Sequence, residues 1–313
     1  MHGPRVVALG GGHGLAATLT ALRSLTDHLT AVVTVADNGG SSGRLREEFG
    51  ILPPGDLRMA LAALCSDDER GREWADILQY RFVNDGLSQS PLHGHAVGNL
   101  LLAALWNRDG DPVQGIARVG ELLQLTGQVL PMALDPLDIE ASFQTSYGRK
   151  IVRGQVEVAT AKGRIESLHL IPDDPRATPE ALKAIAEAEW ITVGPGSWFS
   201  SVMPHFLLPA QAEAISRSSA KKIMIFNLPE PDSIDEFAGY SAQEHLDLVI
   251  KHLPNLQLDF AITDQSTAAA SESLQLAVEG CGGQLIRADL AKSPGSFHHD
   301  PAKLAMTLSH IFN

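Results

Sequence analysis

Two rhythms of hydrophobic positions alternate along this chain. Short β-branched and aliphatic runs bounded by glycine or proline fall at Arg5–Leu9, Thr30–Ala36, Trp190–Val193, Lys222–Phe226, Leu258–Thr263 and Gln284–Arg287, and read as buried parallel strands. Between them, apolar positions at helical spacing predict helices over Leu15–Leu25, Asp56–Leu64, Glu73–Phe82, Val97–Trp106, Pro112–Leu125, Pro179–Glu187, Ala242–Leu253 and Glu272–Gly280. Such alternation predicts an α/β fold with a doubly wound, mainly parallel sheet. One stretch, SFQTSYGRKIVRGQVEVATAKGRIESLHLIP, alternates polar and apolar residues instead, with turns at Tyr147–Arg149 and Ala161–Gly163. It predicts a small antiparallel β insertion over about residues 140–172, within a single domain spanning 1–313. The segment AKSPGSFHHDP, Ala291 to Pro301, is expected to be disordered.

Composition narrows the partners. A chain of 313 residues, 44% hydrophobic, can bury a large core as one domain with an insertion. Its formal net charge of −13 argues against nucleic acid, whose phosphates call for a basic face. Cys65 and Cys281 have no metal-ligand spacing, so both are expected to be buried, reduced thiols. There is no basic segment followed by an apolar leader and no apolar run of membrane-spanning length, which makes a cytoplasmic location the expectation.

Candidate chemistry gathers where strands end. Gly10-Gly11-Gly12-His13-Gly14 joins a strand to a helix, where backbone N–H groups lie beside the positive end of the helix dipole and favour an anion. A tight turn that binds nothing would look the same. The spacing matches neither GxGxxG nor GxxxxGK[ST], which disfavours a dinucleotide-dependent oxidoreductase. At the next strand end come Asp37, Asn38, Gly39, Gly40, Ser41 and Ser42. Asp37 can bond a sugar hydroxyl or a metal and the serines can meet phosphate oxygens, or else Asp37 forms the turn and a serine caps the helix. A third turn, Gly194-Pro195-Gly196-Ser197, repeats the design. In open α/β sheets ligands gather outside the carboxyl ends of strands, so three such turns favour a ligand site.

Other groups are weaker. His93 and His95 lack the carboxylates of a metal site, and His298-His299-Asp300 reads as a solvated loop. In PPGDLR, Asp56 is expected to be a helix N-cap, while Arg58 can steady a ligand or a carboxylate across the cleft. No Ser-His-Asp order or paired-carboxylate site can be assigned, and no metal is expected, unless at Asp37.

The segments ALGGGHG, VTVADNGGSSGRLR, PPGDLRMALAAL, GHAVGNLLLAAL and VGPGSWFSSVMPH together resemble the bacterial YvcK proteins, or gluconeogenesis factors, in the superfamily of the 2-phospho-L-lactate transferase CofD. The resemblance covers Val7 to about His205 and is weaker beyond. It implies a Rossmann-like fold, UDP-N-acetylglucosamine as ligand with no other cofactor required, and a cytoplasmic regulator that serves cell shape and peptidoglycan precursor supply on gluconeogenic carbon. It places His95 and Asn99 on a helix facing the ligand, keeps Asn227 in the wall, and leaves Arg44, Arg46 and Arg58 as cations able to neutralise a diphosphate. Enzymes of cell-wall precursor synthesis are the expected protein partners, and a homo-oligomer the expected assembly. Two features depart from the family. Asn38 stands where members usually carry a second acid, which argues against tight Mg²⁺ binding. Pro229-Glu230-Pro231-Asp232 replaces a PGET turn. The rival reading is a CofD-like phosphotransfer enzyme with Asp37 holding metal beside a diphosphate.

Overall fold

β1 (Val6–Gly10) is apolar and buried along its whole length, as a central strand covered on both faces must be. It pairs in parallel with β2 (Leu29–Val33) on one side and β7 (Trp190–Val193) on the other. In this computed structural model, which describes residues 3–84, 90–146, 148–161, 163–228, 240–266 and 271–313, the main sheet has seven strands in the order β10-β9-β8-β7-β1-β2-β3. Every pairing in it is parallel; β3 is Gln128–Pro131, β8 Lys221–Ile225, β9 Phe260–Asp264 and β10 Gln284–Ala288.

Helices lie between the strands. Before β3 come α1 (Gly12–Leu22), α2 (Gly40–Phe49), α3 (Pro54–Ala63), α4 (Glu69–Gln79), α5 (Val97–Asp109) and α6 (Pro112–Leu123). The expected insertion is present as β4 (Asp138–Thr145), β5 (Gly148–Arg153) and β6 (Arg164–Ile171), an antiparallel sheet in the order β5-β4-β6. It carries an unexpected short helix, α7 (Gln155–Thr160). Then follow α8 (Pro179–Glu187), a π turn at Trp198–Val202, α9 (Pro204–Leu207), α10 (Pro209–Arg217), α11 (Ala242–His252), α12 (Ser271–Gly280) and α13 (Pro301–Phe312). The six expected strands are all found, with ends shifted by a few residues. Cys65 and Cys281 are free and buried. Pro229-Glu230-Pro231-Asp232 lies outside the described residues.

The chain runs outward from β1 through β2 to β3, returns to place β7 beside β1, and then runs outward the other way to β10. Strand order therefore reverses between β1 and β7, and the helices that follow these two strands part there to leave a crevice at the carboxyl ends. One buried side chain ties the crevice floor to the core. His205 Nε2 lies 3.3 Å from the Gly10 carbonyl oxygen and its Nδ1 lies 2.6 Å from Gln211 Nε2. Burial pushes this imidazole down to about 4. It is neutral at pH 7, so Nε2–H donates to Gly10 and Nδ1 accepts from Gln211. His205→Ala is expected to lower stability by about 3 kcal/mol in urea unfolding, through a cavity and the loss of one of two donors to the Gly10 carbonyl, which keeps the Thr34 N–H at 2.9 Å.

Candidate functional site

The turns that follow β1 and β7 pack backbone against backbone. A Cβ at Gly14 would stand 2.2 Å from the Pro195 carbonyl oxygen and 2.8 Å from Gly196 Cα, so only glycine permits the contact. The Thr18 hydroxyl, one turn into α1, lies 3.2 Å from the Gly194 carbonyl and 3.3 Å from that of Gly14. Asn227 clasps the β7 turn from the next strand end: its Oδ1 accepts the Gly196 N–H at 2.9 Å and its Nδ2 donates to the Gly196 carbonyl at 2.8 Å. Ser197 caps the π turn, accepting from the Ser200 N–H. Gly12 opens α1 at φ +58, the left-handed region. The N–H groups of Gly12, His13 and Gly14 have no carbonyl inside the helix to receive them, and that of Gly12 goes to the Asp56 carboxylate.

Above these turns lies a cleft of about 610 Å³, within the range of small-molecule sites. Of the residues singled out in the sequence, Gly11, Gly12, His13, Gly14, Asp37, Gly196, Ser197 and Asn227 line it. Asp56 also lines it, which corrects the expected helix cap. Pro53 holds the N-cap position of α3, and Asp56, inside the first turn, is drawn to Gly12 across the cleft. The C-terminal segment contributes Lys292, Phe297, His298, His299 and Pro301.

That last group overturns two expectations. Residues 291–301 are ordered rather than disordered. The Leu290 N–H donates to Asp264 Oδ2 at 2.8 Å, Ala291 and His299 form a β-bridge, and the Lys292 N–H donates to the His298 carbonyl at 3.0 Å. Nor is His298-His299-Asp300 a solvated loop. His299 is buried, His298 faces His13 with ring centres 6.4 Å apart, and Asp300 caps α13 through the N–H groups of Ala302 and Lys303.

The second glycine turn behaves differently from the first. Asp37 accepts the Gly39 N–H at 2.8 Å and bonds the Ser42 hydroxyl. Gly39 is the N-cap of α2 and Gly40 its first residue, so neither serine caps that helix. Ser41 instead takes an Asn99 Nδ2–H at 3.0 Å and shares a hydrogen bond of 3.0 Å with His95 Nδ1. Burial, with Arg44 nearby, holds His95 below its ordinary value and keeps it neutral. Gly10, Gly39, Gly40, Ser41, Ser42, Arg44, Arg58, His95, Asn99 and Gly194 do not line the cleft. Arg44 donates to the His93 carbonyl at 2.9 Å. Arg58 is 3% exposed, bonded to Gln79, and pushed down to about 10 by burial and then by Arg81. Asn38 turns away to α7, accepting the Val156 N–H at 3.3 Å and donating to Glu157 Oε2 at 3.1 Å.

Two acids face the cleft. Burial raises Asp37, and burial followed by the Asp37 charge raises Asp56 to about 7. His13, Lys292, Phe297 and His298, all exposed, line the cleft as well and bring one lysine and three rings to it. Desolvation, then the charges of His298, Arg58 and Arg81, hold His13 below its ordinary value. The acid pair sets a pH signature. Because folding raises the Asp56 pKa, the folded state holds the proton longer than the unfolded chain, and stability falls as pH rises from about 4 through about 7. Asp56→Asn keeps an acceptor for Gly12 without the charge. It is expected to gain roughly 2 kcal/mol over the native chain at pH 8 and little at pH 4, by urea unfolding at both.

Against known proteins, the family model for 2-phospho-L-lactate transferase CofD matches residues 6–293. The chain belongs to the CofD family. A Mycobacterium tuberculosis relative is 45% identical over 314 residues, covering 98% of this chain and 90% of its own. The gluconeogenesis factor of Listeria monocytogenes is 36% identical over 264 residues, 84% of this chain and 78% of that one. A crystal structure of a UPF0052 family protein from Bacillus halodurans superposes with a TM-score of 0.83 at 31% identity, covering 99% of this chain and 100% of the other. The CofD-family fold of this chain thus comprises the parallel sheet and the antiparallel insertion alike. Among the described residues, no helix is long and apolar enough to cross a membrane.

Proposed function

We propose that this CofD-family protein binds a nucleotide sugar, UDP-N-acetylglucosamine, and acts as a cytoplasmic regulator that links gluconeogenic carbon use to peptidoglycan precursor supply and cell shape. The observation that carries the binding half is the pair of interlocked glycine turns at the sheet's switch point, with helix N–H groups above them. A diphosphate laid over the α1 N-terminus shares the cleft with two acids, a lysine and several rings. Asp37 and Asp56 suit sugar hydroxyls, which donate; Phe297 and His298 suit the flat base; Lys292 suits the phosphate charge. The regulatory half follows the name of the Listeria relative, which is gluconeogenesis factor. Enzymes of cell-wall precursor synthesis are the partners proposed for the occupied state, and the protein acts as a homo-oligomer.

The second reading is a CofD-like transferase acting on a nucleotide diphosphate, and the acid pair favours it. Position 38 has lost its charge and its amide is engaged with α7, yet Asp56 brings a second carboxylate from another segment. Two carboxylates whose ionisation is costly together fit a divalent cation, which would neutralise both and hold phosphate oxygens. In the leading reading the sugar hydroxyls meet these oxygens and Mg²⁺ is dispensable.

A thermal-shift panel of UDP-sugars, guanosine nucleotides and NAD, with and without Mg²⁺, tests both. UDP-N-acetylglucosamine at 100 times its dissociation constant is expected to add about 2.7 kcal/mol with or without metal. No shift at saturation ends the proposal. Steady release of uridine products by the native protein, absent in Asp37→Ala, replaces it with the transferase.

A further inference from the structure

Among the described residues, the insertion reaches the cleft at Gln155. Gln155, the first residue of α7, lines the cleft together with Asp37, and its Oε1 is shielded from water without a hydrogen-bond partner. A buried carbonyl left unmade costs about 1–3 kcal/mol, so an acceptor is kept there at a loss until something donates to it.

Its placement is built. Gly154 turns the chain out of β5 at φ +104 and gives its N–H to the Ile139 carbonyl at 2.8 Å. A Cβ at 154 would stand 2.1 Å from Glu157 Oε2 and 2.8 Å from Asn38 Nδ2. Asn38 then straps α7 to the second glycine turn, holding Val156 and Glu157 through its two amide atoms. An aspartate at 38 would set a second carboxylate against Glu157. In this chain the asparagine ties the insertion down beside Asp37.

We propose that Gln155 reads the 2-acetamido group of the bound sugar, its Oε1 accepting the amide N–H, and so selects N-acetylated sugar nucleotides over plain hexose ones. This rests on the nucleotide-sugar reading above and on the sugar lying beside the two acids. Asp37 and Asp56 are there to take hydroxyl donors. A hydroxyl also needs a donor of its own, which a carbonyl cannot supply, whereas a secondary amide N–H only donates and is planar and fixed. Discrimination by an orphaned polar group is strong because the wrong ligand leaves it unpaired.

Calorimetry on the full chain with UDP-N-acetylglucosamine, UDP-glucose and UDP, for native, Gln155→Ala and Gln155→Glu proteins, tests this. The native chain is expected to prefer the acetamido sugar by about 10-fold, the value of one satisfied hydrogen bond. Gln155→Ala should bring that ratio to about 1 while UDP-glucose affinity moves by less than about 2-fold. Gln155→Glu keeps an acceptor at the same reach and should keep the preference, whatever its charge does to both ligands. Melting without ligand checks that each variant folds. A native ratio of unity, or equal losses for both sugars in Gln155→Ala, overturns the proposal and leaves the nucleotide-sugar reading standing. Failure of all three ligands to bind the native chain overturns both.

Discussion

Gly12→Val is expected to weaken UDP-N-acetylglucosamine binding by roughly 100-fold, about 2.7 kcal/mol, while the protein still folds. Gly12 sits at φ +58 and a Cβ there would meet only Asp56 Oδ1, at 3.9 Å, so space is not the obstacle. Backbone conformation is. A β-branched residue resists the left-handed region, at a cost of about 1–3 kcal/mol, and relieves it by rotating the first turn of α1. That rotation re-aims the N–H groups of His13 and Gly14 and places two methyl groups over them. Charge-assisted bonds to a phosphate are worth about 1.5–3 kcal/mol each, so losing one or two accounts for the drop. Calorimetry gives the affinity and circular dichroism the fold; an unchanged dissociation constant would mean that the α1 N-terminus does not hold the phosphates.

Gly14→Ala is expected to fail differently, losing about 3 kcal/mol of stability together with binding. Here the conformation is helical and the space is missing. The new methyl would meet the Pro195 carbonyl and Gly196 Cα, both backbone, in a turn that Asn227 already clamps. Neither wall can yield without opening the β1–β7 crevice. Urea unfolding measures the loss, and an alanine variant as stable as the native chain would show that the two turns are free to part.

The same pair of turns shows what was legible in the sequence. Parallel strands buried on both faces leave continuous apolar runs, and glycines at their ends mark where the backbone must turn sharply beside another strand. Hence β1, β7, β8 and the insertion were readable from local pattern. β3 was not, being four residues long, at the sheet edge and ending in Pro131. α10 and α13 were missed because each opens on a proline after a stretch that reads as loop, although Asp300 caps the second.

The site divides in the same way. Gly11 to Gly14, Asp37 and Gly196 could be named because turn chemistry is local. Asp56 looked like a cap, since PPGD is how many helices begin; what claims its carboxylate is Gly12, a contact visible only in three dimensions. Lys292, Phe297 and His298 sit in a segment with a linker's composition, and the restraint on it comes from Asp264 on β9. Asn38 was singled out as a departure in charge, and that was the one sequence signal pointing toward α7 and Gln155.

The cleft is lined both by the first strand turn and by Lys292, Phe297 and His298, with α13 packed along α1. Contacts so far apart in sequence are the last to be closed when a chain folds, since loop entropy must be met before they return anything. A chain still emerging from the ribosome can close the β1–β2 pairing early but cannot complete this cleft until α13 is free to dock. The cleft wall is therefore whole only once this late segment has docked, and on the nucleotide-sugar reading a product truncated before residue 292 is expected not to bind the sugar nucleotide however well its first half folded.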